Sequence, residues 1–170
     1  MDGRRERFEE LAPTLIEPVR RFLARRTDPD TAEDVLAETL LVCWRRVDEV
    51  PDLPLPWVYA VARNCLHNAE RSTRRQERVA ARLAAEPTAP EPATDAALHE
   101  ALAGLRPEEA ELIRLWAWEQ LTPAEIAVVL GITPNAASTR LLRAKRKLSD
   151  RMRKNGASSG HEESREGRRP

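Results

Sequence analysis

The sequence has few aromatic residues and no excess of charge of either sign. Only 4% of its residues are aromatic, and 28 Lys and Arg residues are balanced by 28 Asp and Glu residues. Apolar β-branched residues do not alternate with polar ones, whereas Ala, Leu, Arg and Glu are abundant, which is typical of a helical protein. Net charge therefore does not indicate a nucleic-acid-binding protein, and such a function must depend on how charge is distributed along the chain.

Cysteine is scarce, and the residue patterns of common catalytic sites are missing. Cys43 and Cys65 each lie within an apolar helical run, without CxxC or Cys/His spacing, so we expect buried free thiols and no metal site. The sequence has no glycine-rich phosphate loop, no paired catalytic carboxylates and no nucleophile–base spacing. We therefore expect no enzyme activity, no cofactor and no small-molecule substrate.

Long apolar runs are also absent. No segment approaches the roughly 20 apolar residues that span a bilayer. Residues 1–10 are charged and lack the apolar core of a signal peptide. These features predict a soluble, cytoplasmic protein that does not bind membranes.

Residues 121–154 have the clearest local pattern, which predicts two short helices joined by a tight turn. Thr122 and Glu125 have the spacing of a capping box at the start of the first helix. Gly131 supplies the left-handed geometry that ends a helix. Thr133 and Pro134 then repeat the signal for a helix start. This pattern predicts a helix-turn-helix.

The second of these helices is strongly basic and contains a single acid, Asp150. Such a helix can lie in a DNA major groove with its flanks on phosphates. An ordinary helical hairpin with a solvated basic face is the alternative. The basic residues are Arg140, Arg143, Lys145, Arg146, Lys147, Arg151, Arg153 and Lys154.

The N-terminal part of the chain predicts three helices around one modest core. The first covers residues 6–26, and we expect Pro13 and Pro18 to split or kink it. Thr31 is expected to cap the second helix, and Pro56 to begin the third. The predicted core residues are Leu15, Val19, Phe22, Leu36, Leu40, Trp44, Trp57, Val58 and Val61.

These patterns predict an all-α protein with two small helical domains. The domains cover residues 1–84 and 95–154, and the second contains the helix-turn-helix. Its preceding helix should contribute Ala110, Ile113, Leu115 and Trp116 to the core. Residues 85–94 contain three prolines between small and acidic residues and are expected to form a flexible linker. Residues 155–170 lack large apolar side chains and are expected to form a disordered tail.

Four segments together are similar to one family. They are "AEDVLAETLLVCWRRVDEV" (32–50), "PWVYAVARN" (56–64), "LRPEEAELIRLW" (105–116) and "LTPAEIAVVLGITPNAASTRLLRAKRKL" (121–148). They resemble the extracytoplasmic-function (ECF) group of RNA polymerase sigma factors, in the sigma-70 family. The resemblance covers residues 6 to about 153, apart from the expected linker.

The resemblance implies the partners and the residues that bind them. Core RNA polymerase and promoter DNA are implied partners, and members of the family are commonly held by anti-sigma proteins. The implied polymerase-binding residues are Asp34, Glu38 and Arg45. The implied minus-10 residues are Arg63, Asn64, His67, Asn68, Arg71, Arg74 and Arg75. The implied minus-35 residues are Asn135, Ala136, Ser138, Thr139, Arg140, Arg143 and Lys147.

The sequence departs from the family pattern at a few positions, which leaves the promoter sequence open. Ser138 replaces a frequent Lys or Arg, Asn68 replaces a frequent Asp, and the loop 48–56 lacks the usual aromatic residue. The main alternative function is a stand-alone helix-turn-helix transcriptional regulator. Such a regulator would bind duplex DNA without polymerase, usually at a two-fold symmetric operator.

Overall fold

The computed structural model describes the backbone of residues 2–80 and 96–162, and the side chains of residues 3–76, 98 and 100–154. Within these residues the protein is helical and contains no strand, so the predicted all-α class is confirmed. The helices are α1 (Asp2–Ala24), α2 (Pro29–Arg45), α3 (Pro54–Ala80), α4 (Ala96–Ala103), α5 (Pro107–Ala117), α6 (Pro123–Leu130) and α7 (Pro134–Glu162), with a 3-10 turn at Val47–Glu49.

The chain divides into two compact units, and the first is a bundle of α1, α2 and α3. Leu15, Val19 and Phe22 of α1 are completely buried, as is Val58 of α3. The ring of Phe22 stacks on Tyr59 with 4.9 Å between centroids. Each helix contributes one apolar face, and burial of these faces supplies the main stabilisation of the unit.

The α1 helix does not break at its prolines, so the predicted split is wrong. Pro13 and Pro18 both lie inside a continuous helix of 23 residues. Each proline removes one backbone hydrogen bond, which destabilises an isolated helix. Leu15, Val19 and Phe22 lie along the same helix and are all buried, so tertiary packing maintains the helix through both positions.

The start of α2 also differs from the prediction. Asp28, rather than Thr31, caps the helix, and its carboxylate accepts a hydrogen bond of 3.0 Å from the Thr31 amide. That hydrogen bond holds the pKa of Asp28 below its ordinary value. Pro29 occupies the first helical turn, where its missing N–H costs nothing. Thr31 is therefore already inside the helix.

Two tryptophans assigned to the core are largely exposed. Trp44 is 39% exposed and Trp116 is 43% exposed. Trp44 lies edge-on to Phe8, with ring centroids 5.4 Å apart. These large rings cover the edges of their units because neither small core has room to enclose them. Of the other predicted core residues, Leu40 and Trp57 are half-buried.

The second unit contains the predicted helix-turn-helix. The capping box is confirmed, because the Thr122 amide donates to Glu125 at 2.7 Å and the Glu125 amide donates to the Thr122 hydroxyl at 3.3 Å. Gly131 has a φ of 65°, the left-handed geometry that the turn requires. The Ala136 amide donates to the Thr133 hydroxyl at 3.2 Å, which caps α7.

The α7 helix extends to Glu162, eight residues into the segment expected to be a disordered tail. Elongation of an existing helix adds one hydrogen bond for each residue that it orders, so a long helix continues without an apolar face. Residues 163–170 and the expected linker at 85–94 lie outside the described residues. None of the described helices has the length and apolar character to cross a membrane.

Candidate nucleic-acid and protein interfaces

The outward face of α2 carries a stripe of exposed residues, Asp34, Glu38, Leu41 and Arg45. Their spacing of four, three and four residues places them on one side of the helix. Neither carboxylate of this α2 stripe forms a hydrogen bond or ion pair with any residue that the structure describes. Leu41 is 45% exposed between the acids and Arg45. The stripe therefore combines free negative charge with an apolar side chain.

Other acids near the start of α2 are already engaged. Glu33 pairs with Arg20 of α1 at 2.8 Å, and this pairing lowers the pKa of Glu33. Asp28 caps the helix. The acids of α2 and its cap thus divide into Asp28 and Glu33, which hold the unit together, and Asp30, Asp34 and Glu38, which are exposed and form no ion pair with a described residue.

The α3 helix continues well beyond the core of the first unit. It has 27 residues, which corresponds to a length of about 40 Å. Side chains up to Leu66 contribute to the core, whereas none of the described side chains from His67 to Gln76 is buried. The second half of the helix therefore presents its polar side chains on the surface.

The predicted minus-10 residues do share one surface of α3. The outward α3 face consists of Asn64, His67, Asn68, Arg71 and Arg75, all exposed. Arg63 is half-buried at the edge of this face. Arg74 lies 3.9 Å from Glu70, which is a loose and exposed pairing. The face thus combines amides that can hydrogen-bond base edges with guanidinium groups that can bind phosphate.

The loop before α3 exposes one apolar side chain. Leu53 is 76% exposed, the largest fraction among the exposed large hydrophobic residues of the described chain. The start of the loop is fixed, because Arg7 donates a hydrogen bond of 2.7 Å to the Val50 carbonyl. The loop therefore presents Leu53 from an anchored backbone beside the start of α3.

The first half of α7 separates a buried stripe from an exposed face. Ala137, Leu141 and Ala144 are buried and hold the helix on its unit. The predicted minus-35 residues lie away from this stripe. Asn135, Ser138, Thr139, Arg140 and Arg143 are exposed, and Ala136 is half-buried.

Several basic residues further along α7 contact their own unit. Lys145 lies over the Trp116 ring, with its ammonium 3.4 Å from the centroid. The guanidinium of Arg151 occupies the space into which a Cβ at position 104, a glycine, would project. Arg153 pairs with Asp150. Several basic side chains of this segment are therefore engaged in packing or ion pairing within their own unit.

Lys147, a further predicted minus-35 residue, forms an ion pair within its own unit. Its ammonium pairs with the carboxylate of Glu109 on α5. Glu109 also accepts a hydrogen bond of 3.3 Å from the Arg106 amide at the start of α5. The hydrogen bond from Lys147 is the main cause of a lowered pKa at Glu109. Lys147 therefore joins α7 to the capped end of α5.

Comparison with known proteins identifies the family. Residues 95–148 match the family described as Sigma-70, region 4. The RNA polymerase sigma factor CarQ of Myxococcus xanthus is 31% identical over 158 residues, which are 88% of this chain and 91% of CarQ. The ECF RNA polymerase sigma factor SigL of Mycobacterium tuberculosis is 33% identical over 141 residues, 75% of this chain and 78% of SigL. The protein belongs to the ECF group of RNA polymerase sigma factors.

The fold of this sigma factor also matches a solved structure. The sigma factor RpoE in complex with the anti-sigma factor NepR, from Bartonella quintana, superposes with a TM-score of 0.66. The match covers 86% of this chain and 96% of RpoE, at 21% identity. The resemblance seen in the sequence is confirmed by these relatives. Sigma factors are regulatory proteins rather than enzymes.

The minus-35 residues implied by the sequence do not include two residues on the exposed face of α7 in this sigma factor. Leu142 is 52% exposed, and Arg146 is exposed one turn further along. Both follow Thr139 at helical spacing and lie opposite the buried stripe. The signal was present in the sequence, because the three buried residues of that stripe define which side of the helix faces outward.

Proposed function

We propose that this sigma factor binds core RNA polymerase, directs it to promoters and thereby starts transcription. The observation that carries the proposal is the distribution of unpaired charge. Asp34 and Glu38 on α2, and Arg140, Arg143 and Arg146 on α7, form no ion pair with any described residue. Glu33 on α2 and Lys147 and Arg153 on α7 are, by contrast, paired. The unpaired charges named above thus lie on surfaces suited to a protein and to DNA.

The α2 stripe suits a basic protein surface. Asp34 and Glu38 supply negative charge, and the exposed Leu41 between them and Arg45 supplies apolar contact area. Charge complementarity of this kind sets the orientation and rate of encounter more than the affinity. In the family, the corresponding helix docks on the clamp helices of the largest polymerase subunit. We assign the α2 stripe to this contact.

The α3 face suits the minus-10 element. Asn64, His67 and Asn68 can hydrogen-bond base edges, and Arg71 and Arg75 can hold the phosphates of the same strand. The anchored loop with Leu53 lies where the family captures a base of the opened strand. Removing a base from the stack costs a few kcal/mol, and contacts between the base and a fitted pocket can offset this cost.

The first half of α7 suits the minus-35 duplex. Arg140 and Arg143 are close enough to its start to reach guanine O6 and N7 in the major groove. The small side chains of Ala136 and Thr139 allow the helix to approach the bases. We also assign a phosphate contact to Arg146, which is exposed and has no ion-pair partner among the described residues.

An anti-sigma protein is a further proposed partner. The structural neighbour RpoE is bound by the anti-sigma factor NepR. An exposed acidic and apolar stripe that docks polymerase is also the surface that a competitor would have to cover. We therefore propose that such a partner would act by occluding the α2 stripe.

Run-off transcription tests the proposal directly. Core polymerase should initiate from specific members of a genomic promoter pool only when this protein is added. If the isolated protein instead binds a symmetric duplex site and adds nothing to core polymerase, the protein is a stand-alone regulator.

Charge reversal on α2 tests the docking surface. Asp34→Arg combined with Glu38→Arg should weaken capture of core polymerase at least tenfold, because two attractive charges become repulsive. Glu6→Arg with Glu10→Arg is the matched control, since it makes the same charge change at the same spacing on exposed positions of α1. Equal capture by the α2 double variant and the α1 control would contradict the assignment.

A further inference from the structure

We infer that Leu142 reads the methyl group of a thymine in the minus-35 element. The inference rests on the proposed function and names one specificity-determining contact within it. Leu142 is 52% exposed in the first half of α7, and the residues one turn away from it, such as Thr139 and Arg146, are polar or charged. It is the one large apolar side chain on the outward side of this part of the helix.

The position of Leu142 on the helix is fixed by its neighbours. Leu141 on one side of it in sequence is buried, and Ala144 shortly after it is buried as well. Because successive residues are about 100° apart, Leu142 points away from the unit. Its neighbours one turn away on the outward side are Thr139 and Arg146, both exposed.

The surrounding charge indicates what covers this apolar side chain. Arg146 lies one turn after Leu142 on the same side of α7, and Arg143 is the next residue in sequence; neither makes an ion pair with any described residue. Arg140, two residues before Leu142, lies on a different side of the helix. The two unpaired guanidinium groups favour a polyanion, and they would bring this part of α7 against the DNA backbone. A partner surface that is only apolar would leave both guanidinium groups without a counter-charge. The flanking residues therefore favour DNA as the occupant.

Within a major groove, only one group matches an exposed leucine. The groove edges present hydrogen-bond donors and acceptors, and the C5 methyl of thymine is the sole apolar group among them. Contact between this methyl and Leu142 removes both from water. Placing the leucine against any other base would desolvate a polar base edge without a hydrogen bond. Leu142 therefore both favours thymine and disfavours the other bases.

Two other exposed apolar residues, Trp116 and Met152, are grouped beside a later part of α7. Trp116 and Met152, with Leu148, line a surface groove together with Lys145. Lys145 and Ser149 of this groove follow Leu142 by three and seven residues, so the groove adjoins the Leu142 side of α7 and extends towards the end of the helix. Met152 is 41% exposed and thus offers a matched control on the same helix.

Replacement of thymine by deoxyuridine tests the contact, because it removes only the methyl group. The preferred minus-35 sequence is first obtained with the full-length protein and core polymerase from a randomised minus-35 library. Each thymine in that sequence is then replaced in turn by deoxyuridine. At one position the replacement should lower initiation by wild-type holoenzyme about fourfold, the effect expected from losing one buried methyl-sized group.

The same replacements are then measured with Leu142→Ala and with Met152→Ala. Leu142→Ala should initiate equally well from the thymine and deoxyuridine promoters at that position, while Met152→Ala should keep the fourfold loss. Thermal unfolding followed by circular dichroism checks that both variants fold. We expect both to fold, because Leu142 and Met152 are exposed.

The possible outcomes separate this inference from the proposed function. If wild-type holoenzyme initiates from selected promoters but no thymine is sensitive to deoxyuridine, the inference is overturned and the proposed function stands. A deoxyuridine effect that persists in Leu142→Ala also overturns it. If the protein adds no initiation to core polymerase on any promoter, the proposed function fails and the inference fails with it.

Discussion

Replacing Lys147 distinguishes a cation that packs the unit from a cation that holds DNA. Lys147→Met removes the charge and keeps a long flexible side chain. In the structure this charge pairs with Glu109, which also accepts the Arg106 amide. Arg146→Met is the matched comparison, because Arg146 is the adjacent residue, is exposed and has no ion-pair partner among the described residues. The two variants should affect different properties.

The salt dependence of promoter binding gives the expected size of the difference. Each phosphate that a protein cation neutralises contributes about 0.9 to the slope of log affinity against log salt concentration. Arg146→Met should lower that slope by about 0.9, which is about 3.5-fold in affinity between 50 and 200 mM salt. Lys147→Met should leave the slope unchanged, because its ammonium is held on α5.

The melting temperature should instead depend on Lys147 and not on Arg146. The pKa of Glu109 is lowered from its ordinary value of 4.5, mainly by the hydrogen bond from Lys147. The pairing therefore stabilises the folded protein above that pH, and its contribution is lost as the pH falls through the lowered pKa. Lys147→Met should melt at a lower temperature than wild type at neutral pH, and the difference should close in acid. Arg146→Met should melt as wild type does at both pH values.

Fluorescence anisotropy of a labelled promoter with holoenzyme, at several salt concentrations, measures the slope. Thermal unfolding of the protein alone, followed by circular dichroism, measures the stability. The reasoning is refuted if Lys147→Met lowers the slope as much as Arg146→Met and melts at the wild-type temperature. Lys147 would then bind DNA, and its pairing with Glu109 would have no structural role.

Two further predictions concern the core of the first unit. Phe22→Ala should lower the free energy of unfolding by about 3–5 kcal/mol in urea titrations, since Phe22 is completely buried and stacked on Tyr59; a loss below 1 kcal/mol would show that the core is not packed around this ring. Cys43 should resist alkylation in the folded protein, because burial raises the pKa of its thiol to about 11 and leaves roughly one thiolate per thousand molecules at about pH 8. Mass spectrometry after iodoacetamide treatment, with and without urea, checks this, and complete native labelling would contradict it.

The sequence alone determined the elements whose signals are local. The capping box of Thr122 and Glu125 and the turn at Gly131 are confirmed because the groups involved lie within a few residues of each other. The buried stripe of Ala137, Leu141 and Ala144 follows from helical periodicity in the same way. Buried free thiols at Cys43 and Cys65 were likewise predicted from their apolar surroundings, and both are confirmed.

Tertiary structure decided which charged residues remain available to a partner. Periodicity places Lys147 near the exposed side of α7, but its partner Glu109 is 38 residues earlier in the chain. Glu33 and Asp34 are adjacent and chemically similar, yet only Glu33 meets Arg20 of α1. A charge is neutralised by whatever the fold brings within a few ångströms, and this depends on how separate helices pack. The sequence therefore determined where charge lies along each helix, and the packing of α1 against α2 and of α5 against α7 determined which charges stay free.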